Sequence, residues 1–544
     1  MDTLIYPKDS YMTALLMSEN APSDHLKNLL GPEQMDFIKN VHLEMNAERL
    51  ELLNARQERQ QAYDKGEIPS YLPEGEAQTN WKVKAIPEDL QQRRVEITGP
   101  INDPKMVINM LSRNGSGDRA DTAMLDFEDS MKPSWRNVVD GLQNIVDVAN
   151  GNLSFEKKDK DGNVVKKYQL DASDMAKPMV RVRGLHLQEA NLTVKGEAIS
   201  GGMFDLVATS LLTAKTFIEN NQTPKFYVPK CEHFLEARWW NKLFNKVEEH
   251  LGLDIGTIRA TFLIETLPAA LQVEEILFEL KDHAAGLNVG RWDKIFSDIK
   301  VLKSHADRLS PDRSHINMQK FWMDNYAKRL IKICHEHGAF AIGGMSAFTP
   351  GSNEDQRQEQ TNKVLQDKKN EFSIGHDGCW VSHPYFIGPA LEAFPKKNQV
   401  DELLPEMDRY PDLIMDGKGE QTLQGLRTNI RVGIAYLKGW QSDLGCIAWD
   451  NMMEDLATLE ISRAQVWQWL HHKVQLSSGE SVNKELVSKI FGEELDRIFG
   501  ELKIEEGHKE HSSWLTAMEK ARQIFTQEKL EDFLTSTSEI YHQK

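Results

Sequence analysis

Between about residues 94 and 386 the chain repeats one unit eight times: a short run of strand-forming residues, then a longer stretch of helical composition. The runs are 95–98, 123–127, 178–183, 226–229, 260–264, 286–289, 340–343 and 379–382. Eight strand–helix units in about 290 residues predict a (β/α)8 TIM barrel and not a doubly wound sheet. A second pattern agrees. Almost every run leads directly into polar or ionisable residues: Glu128-Asp129, Arg183, Lys230-Cys231-Glu232, Glu265, Asp293, Ser346 and His383. The C-terminal strand ends of a barrel converge on one mouth, where active sites are built, so these distant residues are expected to meet.

The flanks differ from this repeat. Residues 32–63 carry Met35, Phe37, Ile38, Val41, Met45, Leu50 and Leu53 at roughly helical spacing, and Gly66, Pro69, Pro73 and Gly75 then read as a linker. Around Asp161-Gly162, residues 153–170 alternate as a surface β-hairpin. After about 390 the strands stop, Pro395 and Pro405 mark the change, and the rest reads as helical. The expected divisions are therefore 1–93, a catalytic barrel over 94–394, and a helical domain over 395–544.

Charge narrows the function. The 65 basic and 83 acidic residues leave a formal charge of −18, which argues against binding nucleic acid or an anionic membrane. Cys231, Cys334, Cys379 and Cys446 lack CxxC spacing, so reduced thiols are expected, with neither a zinc site nor a disulfide framework. Asp2, Lys8 and Asp9 interrupt the start, no apolar run approaches a membrane span, and the end reads His542-Gln543-Lys544. A cytoplasmic protein is the expectation. Its oligomeric state, monomer or small homo-oligomer, is not legible.

Glu265 and Asp293 end the fifth and sixth strands among neutral neighbours. Two carboxylates on adjacent strand ends suit Mg²⁺, which takes few protein oxygens and keeps exchangeable positions. Either acid could instead cap the following helix or pair with Arg291 or Arg259. Arg183 closes the third strand, where a permanently charged fork can hold a carboxylate or stabilise an enolate oxygen. It could also pair with Glu128 or Asp129, which would then orient it. Asp455 falls in a stretch read as helix, on or beside an apolar stripe with Met452, Leu456 and Leu459. A carboxylate there is either paired in the core or kept for proton transfer. Trp467, Trp469 and Leu470 read as packing, and His471 and His472 as exposed helix-end residues. Lys363, Lys368, Lys369, Lys396 and Lys397 could meet phosphates, although such a run reads first as a solvated helix face. No glycine-rich nucleotide loop follows a strand, which weighs against dehydrogenases and kinases. The residues alone thus reach a metal-dependent barrel enzyme with an acid on a separate segment.

The stretch 281–293, ending Asn288-Val289-Gly290-Arg291-Trp292-Asp293, resembles the signature of the malate synthase family. Stretches 125–130, 181–184, 343–347, 377–384 and 453–455 are similar to it as well, so the resemblance runs from about 95 to 472. Short barrel insertions point to the A type. The resemblance implies a barrel with an N-terminal helical clasp and a C-terminal helical plug that supplies a base. It implies a Mg²⁺-dependent acyltransferase of the glyoxylate cycle that condenses acetyl-CoA with glyoxylate and releases malate and CoA. It further implies that Glu265 and Asp293 bind Mg²⁺ and that the Gly290-Arg291-Trp292-Asp293 backbone holds glyoxylate. Arg183 would bind glyoxylate and stabilise the enolate, Asp455 would take the methyl proton, Ser130 and Pro350 would touch acetyl-CoA, and Glu128 and Asp129 would support the arginine. Lys294 stands where the family usually has Tyr, Leu185 where A-type enzymes have Trp, and Leu456 and Leu459 where Ala is common. The rival readings are a malyl-CoA or citramalyl-CoA lyase and a non-catalytic barrel scaffold.

Overall fold

The computed structural model describes residues 15–18, 23–402 and 407–537. Asp2, Lys8, Asp9, Pro405 and the chain end lie outside them. A 33-residue helix, α1 (Pro32–Asp64), starts at Gly31 with proline in its first turn, where a missing N–H costs nothing. Met35, Ile38, Val41 and Met45 bury one face of α1, and so do Arg49 and Arg56.

The eight expected strands all form: β1 (Val95–Pro100), β2 (Thr122–Asp126), β3 (Lys177–Arg181), β4 (Lys225–Val228), β5 (Arg259–Ile264), β6 (Ala284–Val289), β7 (Phe340–Ser346) and β8 (Gly378–Val381). They pair in parallel and close on themselves, β8 meeting β1 through Cys379 opposite Val95. Their residues are buried almost without exception, as in β5 and β6, because helices cover the outside and side chains fill the bore. Met124, Met179, Tyr227, Leu263, Phe340, Ile342 and Trp380 form that inner core. Two helices bear on the site, α2 (Gly201–Glu219) after β3 and α3 (Arg291–Val301) after β6. The expected hairpin is present as Ser154–Lys158 against Val164–Gln169. A small sheet of Leu15–Met17, Gln188–Val194 and Glu197–Ser200 was not foreseen.

Beyond the barrel lie α4 (Leu423–Gln441), a β-hairpin of β9 (Ile447–Trp449) and β10 (Met452–Glu454), then α5 (Leu456–His471), α6 (Lys484–Leu502) and α7 (His511–Phe525). The hairpin corrects the expectation that strands stop near 390. Asp450 and Asn451 adopt positive φ, 47° and 62°, the backbone a two-residue hairpin turn requires. Met453 N–H donates to Ala347 O at 2.7 Å and Thr349 N–H to Asn451 O at 3.0 Å, which fastens the hairpin to the loop after β7.

Candidate active site at the barrel mouth

A cavity of about 50 Å³ opens at the C-terminal strand ends. Asp126, Asp129, Ser130, Arg181, Glu265, Gly290, Arg291, Trp292, Asp293 and Asp455 line it, with Thr98, Met345 and Trp380 among the other walls. Glu265 and Asp293 do meet, both lining this one cavity. Glu265 accepts from Lys230 N–H at 2.8 Å. A Cβ on Gly290 would stand 2.5 Å from Glu265 Cβ and 2.8 Å from its Oε2, so only glycine lets the β6 end approach this acid. Burial, then the charge of Asp293, pushes the Glu265 carboxyl well above its ordinary range. Burial likewise raises Asp293, against the pull of Lys230. Asp293 lies in the first turn of α3, whose leading backbone N–H groups have no partners within the helix; the cap residue Gly290 supplies no side chain.

The structure separates the two arginines at the end of β3. Arg183 is fully buried outside the cavity: its Nε and Nη2 donate to Asp205 of α2 at 2.9 and 2.8 Å, and Nη1 to Glu189 at 2.8 Å. Gly202 is held against it, since a Cβ there would be 2.1 Å from Arg183 O. Of these two, Arg181 lines the cavity, as Arg291 also does. Its Nε and Nη2 donate to Asp126 at 2.7 and 2.6 Å, and Nη1 lies 3.5 Å from Glu128 and 3.7 Å from Asp129. The expected pairing of Arg183 with Glu128 or Asp129 therefore belongs to Arg181. β3 ends at Arg181, and the two arginines, two residues apart, face different surroundings.

Lys230, named by sequence only as a polar strand end, lies behind the cavity at positive φ, 54°. Its Nζ reaches Asp129 at 2.6 Å, Glu128 at 2.9 Å and Asp293 at 3.4 Å. Asp126, which accepts the Ser130 hydroxyl at 2.5 Å, is held below the usual carboxylate range: burial pushes it up, but Arg181, the Ser130 hydroxyl and the Glu128 N–H together pull it down further. Neither residue was singled out from sequence, because both signals are charges at strand ends whose direction is set by the fold.

Asp455 reaches the mouth by a route different from the expected one. It is the N-cap of α5, not a mid-helix residue, and its side chain accepts from Thr458 N–H at 3.3 Å. The β9–β10 hairpin delivers it, and Leu456 N–H donates to Asp129 O at 3.3 Å. Burial first, then Asp129 and Asp293, push its carboxyl well above the ordinary range.

Other expectations sort plainly. Ser130 lines the cavity, whereas Pro350 does not and sits in the loop beside Asn451. Lys294 is buried, donates to Asp298 at 2.6 Å and lies outside the cavity, so its departure from the usual Tyr leaves the cavity wall untouched. Lys368 is not on a solvated face; it is buried between Gly344 O and Glu371. Ser346, His383 and Glu232 pair elsewhere, with Asp367, the backbone of Tyr385, and Lys300. All four cysteines are free thiols.

Buried carboxyls thus outnumber cations here: Asp126, Glu128, Asp129, Glu265, Asp293 and Asp455 stand against Arg181, Lys230 and Arg291. Glu128 Oε2, Asp129 Oδ1 and Asp293 Oδ1 are buried without a hydrogen-bond partner among the described residues. Among those residues no group of three or more His, Cys, Asp or Glu is arranged to hold a metal. The Glu265–Asp293 pair falls below that number, but Mg²⁺ is commonly held by one or two carboxylates plus water and substrate. Negative charge in excess, oxygen donors only and an Asp293 oxygen that has no hydrogen bond but is ion-paired with Lys230 at 3.4 Å fit a hard divalent cation.

Fold and site together define a barrel enzyme whose acid-rich mouth is closed by a residue from a C-terminal helical segment. The family description "Malate synthase, TIM barrel domain" matches residues 177–410, "Malate synthase, C-terminal" matches 420–543, and "Malate synthase, N-terminal domain" matches 22–77. The chain is 41% identical to malate synthase A of Escherichia coli K12, over 94% of this chain and 95% of that one. It is also 41% identical to the malate synthase of Myxococcus xanthus, over 93% of each. The Dictyostelium discoideum malate synthase is 39% identical over 94% of each. The chain belongs to the malate synthase family, an acyltransferase family, and the lyase alternative is not favoured. Among the described residues no helix is long and apolar enough to cross a membrane.

Proposed function

We propose that the mouth condenses acetyl-CoA with glyoxylate and hydrolyses the resulting thioester to malate and CoA. The single observation that carries this reading is Asp455, a buried, proton-seeking carboxyl held across the cavity from Arg181 and the Glu265–Asp293 pair. A cavity of about 50 Å³ suits a two-carbon oxo acid, since one water-sized group needs roughly 10–15 Å³. The bulk of acyl-CoA would then lie outside it, with Ser130 the lining residue that resemblance assigns to acetyl-CoA.

Glu265 and Asp293 would hold Mg²⁺, and when bound it supplies Lewis-acid polarisation of the aldehyde. The backbone N–H groups opening α3 would receive the glyoxylate carboxylate, as helix N-termini do for anions. Asp455 removes a proton from the acetyl methyl; a carboxyl raised by burial is the stronger base. Arg181, in place of the Arg183 expected from sequence, offsets the charge that develops on the enolate oxygen. Asp126, Glu128 and Asp129 fix its orientation. The methyl carbon then attacks the aldehyde carbon, and water cleaves the malyl thioester.

Thiol release from acetyl-CoA, measured with and without glyoxylate and with and without Mg²⁺, tests this. Free CoA and malate are expected only when all components are present. Accumulation of an acyl-CoA ester would favour a lyase, and no thiol under any condition would overturn the reading.

A further inference from the structure

The segment 530–535 takes no part in the chemistry above, yet it is bound to three regions at once. Phe533 and Leu534 are buried, 2% and 0% exposed. Arg463 of α5 donates to the carbonyls of Glu531 and Asp532 at 3.1 and 2.6 Å, and Leu534 N–H donates to Glu460 at 2.8 Å. Asp532 accepts from Lys300 of α3 at 2.6 Å. Lys300 also donates to Glu232 at 2.7 Å, and Glu232 lies 3.8 Å from Arg56 of α1. One short segment thus joins α1, the barrel and α5 through a chain of alternating charge, buried at Lys300, Glu232 and Arg56 and partly exposed at Asp532.

The Phe533 ring is where this chain meets the mouth. Its centroid lies 6.0 Å from Lys230 Nζ, 4.9 Å from Lys300 Nζ, 4.5 Å from the His186 ring and 5.5 Å from the Phe296 ring. Lys230 is therefore held from two sides. Asp129, Glu128 and Asp293 draw its ammonium toward the mouth, while an aromatic ring backs it and keeps water away. A cation near an aromatic ring is stabilised modestly and a desolvated one more so. Removing the water behind Lys230 also strengthens its attraction to the three carboxylates. His186 completes the floor as a neutral ring: burial, then Arg56 and Lys230, hold its pKa well below the ordinary value.

We propose that segment 530–535 is a clasp that positions Lys230, and through it Asp129 and Asp293, so that the C-terminal segment is a working part of the site. Phe533 and Asp532 are positioning residues in this role, which rests on the mouth being the reaction centre. Without the ring, water enters behind Lys230 and the ammonium is no longer driven toward Asp293.

The test uses the full chain with Phe533→Ala, Phe533→Leu and Asp532→Asn, each confirmed folded by thermal melting. Phe533→Ala is expected to lower kcat about ten- to a hundredfold, the scale on which small misplacement of a catalytic group acts. It should leave KM for acetyl-CoA nearly unchanged and weaken Mg²⁺ binding measured by calorimetry without substrate. Phe533→Leu, which keeps an apolar floor, should recover most of both. A folded Phe533→Ala with parental kcat and Mg²⁺ affinity overturns the clasp. If that variant does not fold, Asp532→Asn decides: it leaves the ring and breaks only the Lys300 link, and parental kcat and Mg²⁺ affinity there overturn the clasp too. A parent that binds Mg²⁺ but never releases thiol would sink the proposed reaction, while the Mg²⁺ readout would still judge the clasp.

Discussion

Two sets of buried charge share one barrel and are built on opposite terms. Toward the N-terminal strand ends, Glu96 of β1 is fully enclosed and fully used. It accepts from Arg93 Nε at 2.7 Å and Trp380 Nε1 at 2.9 Å, and from the Tyr227 hydroxyl. Arg93 in turn donates to that hydroxyl at 2.9 Å. One acid meets one base. At the mouth, carboxyls outnumber cations, and three of their oxygens find no hydrogen-bond partner among the described residues. Balanced burial of this kind makes a scaffold; a crowd of like charges is costly to enclose and persists where protons or cations are handled. Barrel folds divide labour in the same way, with chemistry at the C-terminal face and stability at the other.

The contrast can be broken by exchanging single groups. The largest effect is expected at the mouth: Asp455→Asn should lower kcat by about 10²–10⁴-fold, the usual yield of general-base catalysis. Thiol release should collapse while melting and Mg²⁺-dependent glyoxylate binding survive; near-normal turnover would remove Asp455 from the mechanism. At the other pole, Glu96→Gln leaves Arg93 charged and unpaired and should cost about 3–5 kcal/mol of stability, as breaking a buried pair does. Its kcat per folded molecule should hold, and denaturant titration with active-site-normalised kinetics checks both. The two arginines sharpen the same line: Arg181→Lys should lower kcat with modest loss of stability, whereas Arg183→Lys should lower stability and spare kcat. The reverse pattern would return the role to Arg183.

The smallest effect concerns pH. Burial lowers His376 to about 3 from 6.5. A group depressed in the folded state takes up protons on unfolding, so its contribution is present above 6.5 and is lost as pH falls toward 3. Removing the imidazole with His376→Asn should therefore lessen acid sensitivity. The gain is at most about 2 kcal/mol at pH 5, one and a half pH units below 6.5 at roughly 1.36 kcal/mol each. Denaturant midpoints that fall equally with pH in parent and variant would discount His376.

Much of the site was legible because strand ends carry charge in an otherwise apolar run. Glu265 and Asp293, expected at neighbouring strand ends, do share the cavity wall, one just after β5 and the other in the first turn of the helix after β6. Asp455 was found through resemblance, but its setting was misread: periodicity counted 451–460 as one helix, although Asp450-Asn451 is turn chemistry. Lys230 and Asp126 went unassigned because nothing in a sequence says which charges at neighbouring strand ends face one another.

The sequence by itself determined that eight apolar runs must be buried in parallel, that their polar ends converge, and that a helical segment follows. Those properties are local: composition, spacing and the absence of competing motifs. Only the tertiary structure put Arg181 in the cavity wall and Arg183 outside it, brought Asp455 to the mouth on a hairpin, and seated Phe533 beside Lys230. Residues two apart share a face only while the strand lasts, and where β3 stops is set by its neighbours. The balance of charge at the mouth likewise exists only once strands far apart in sequence have closed on one another.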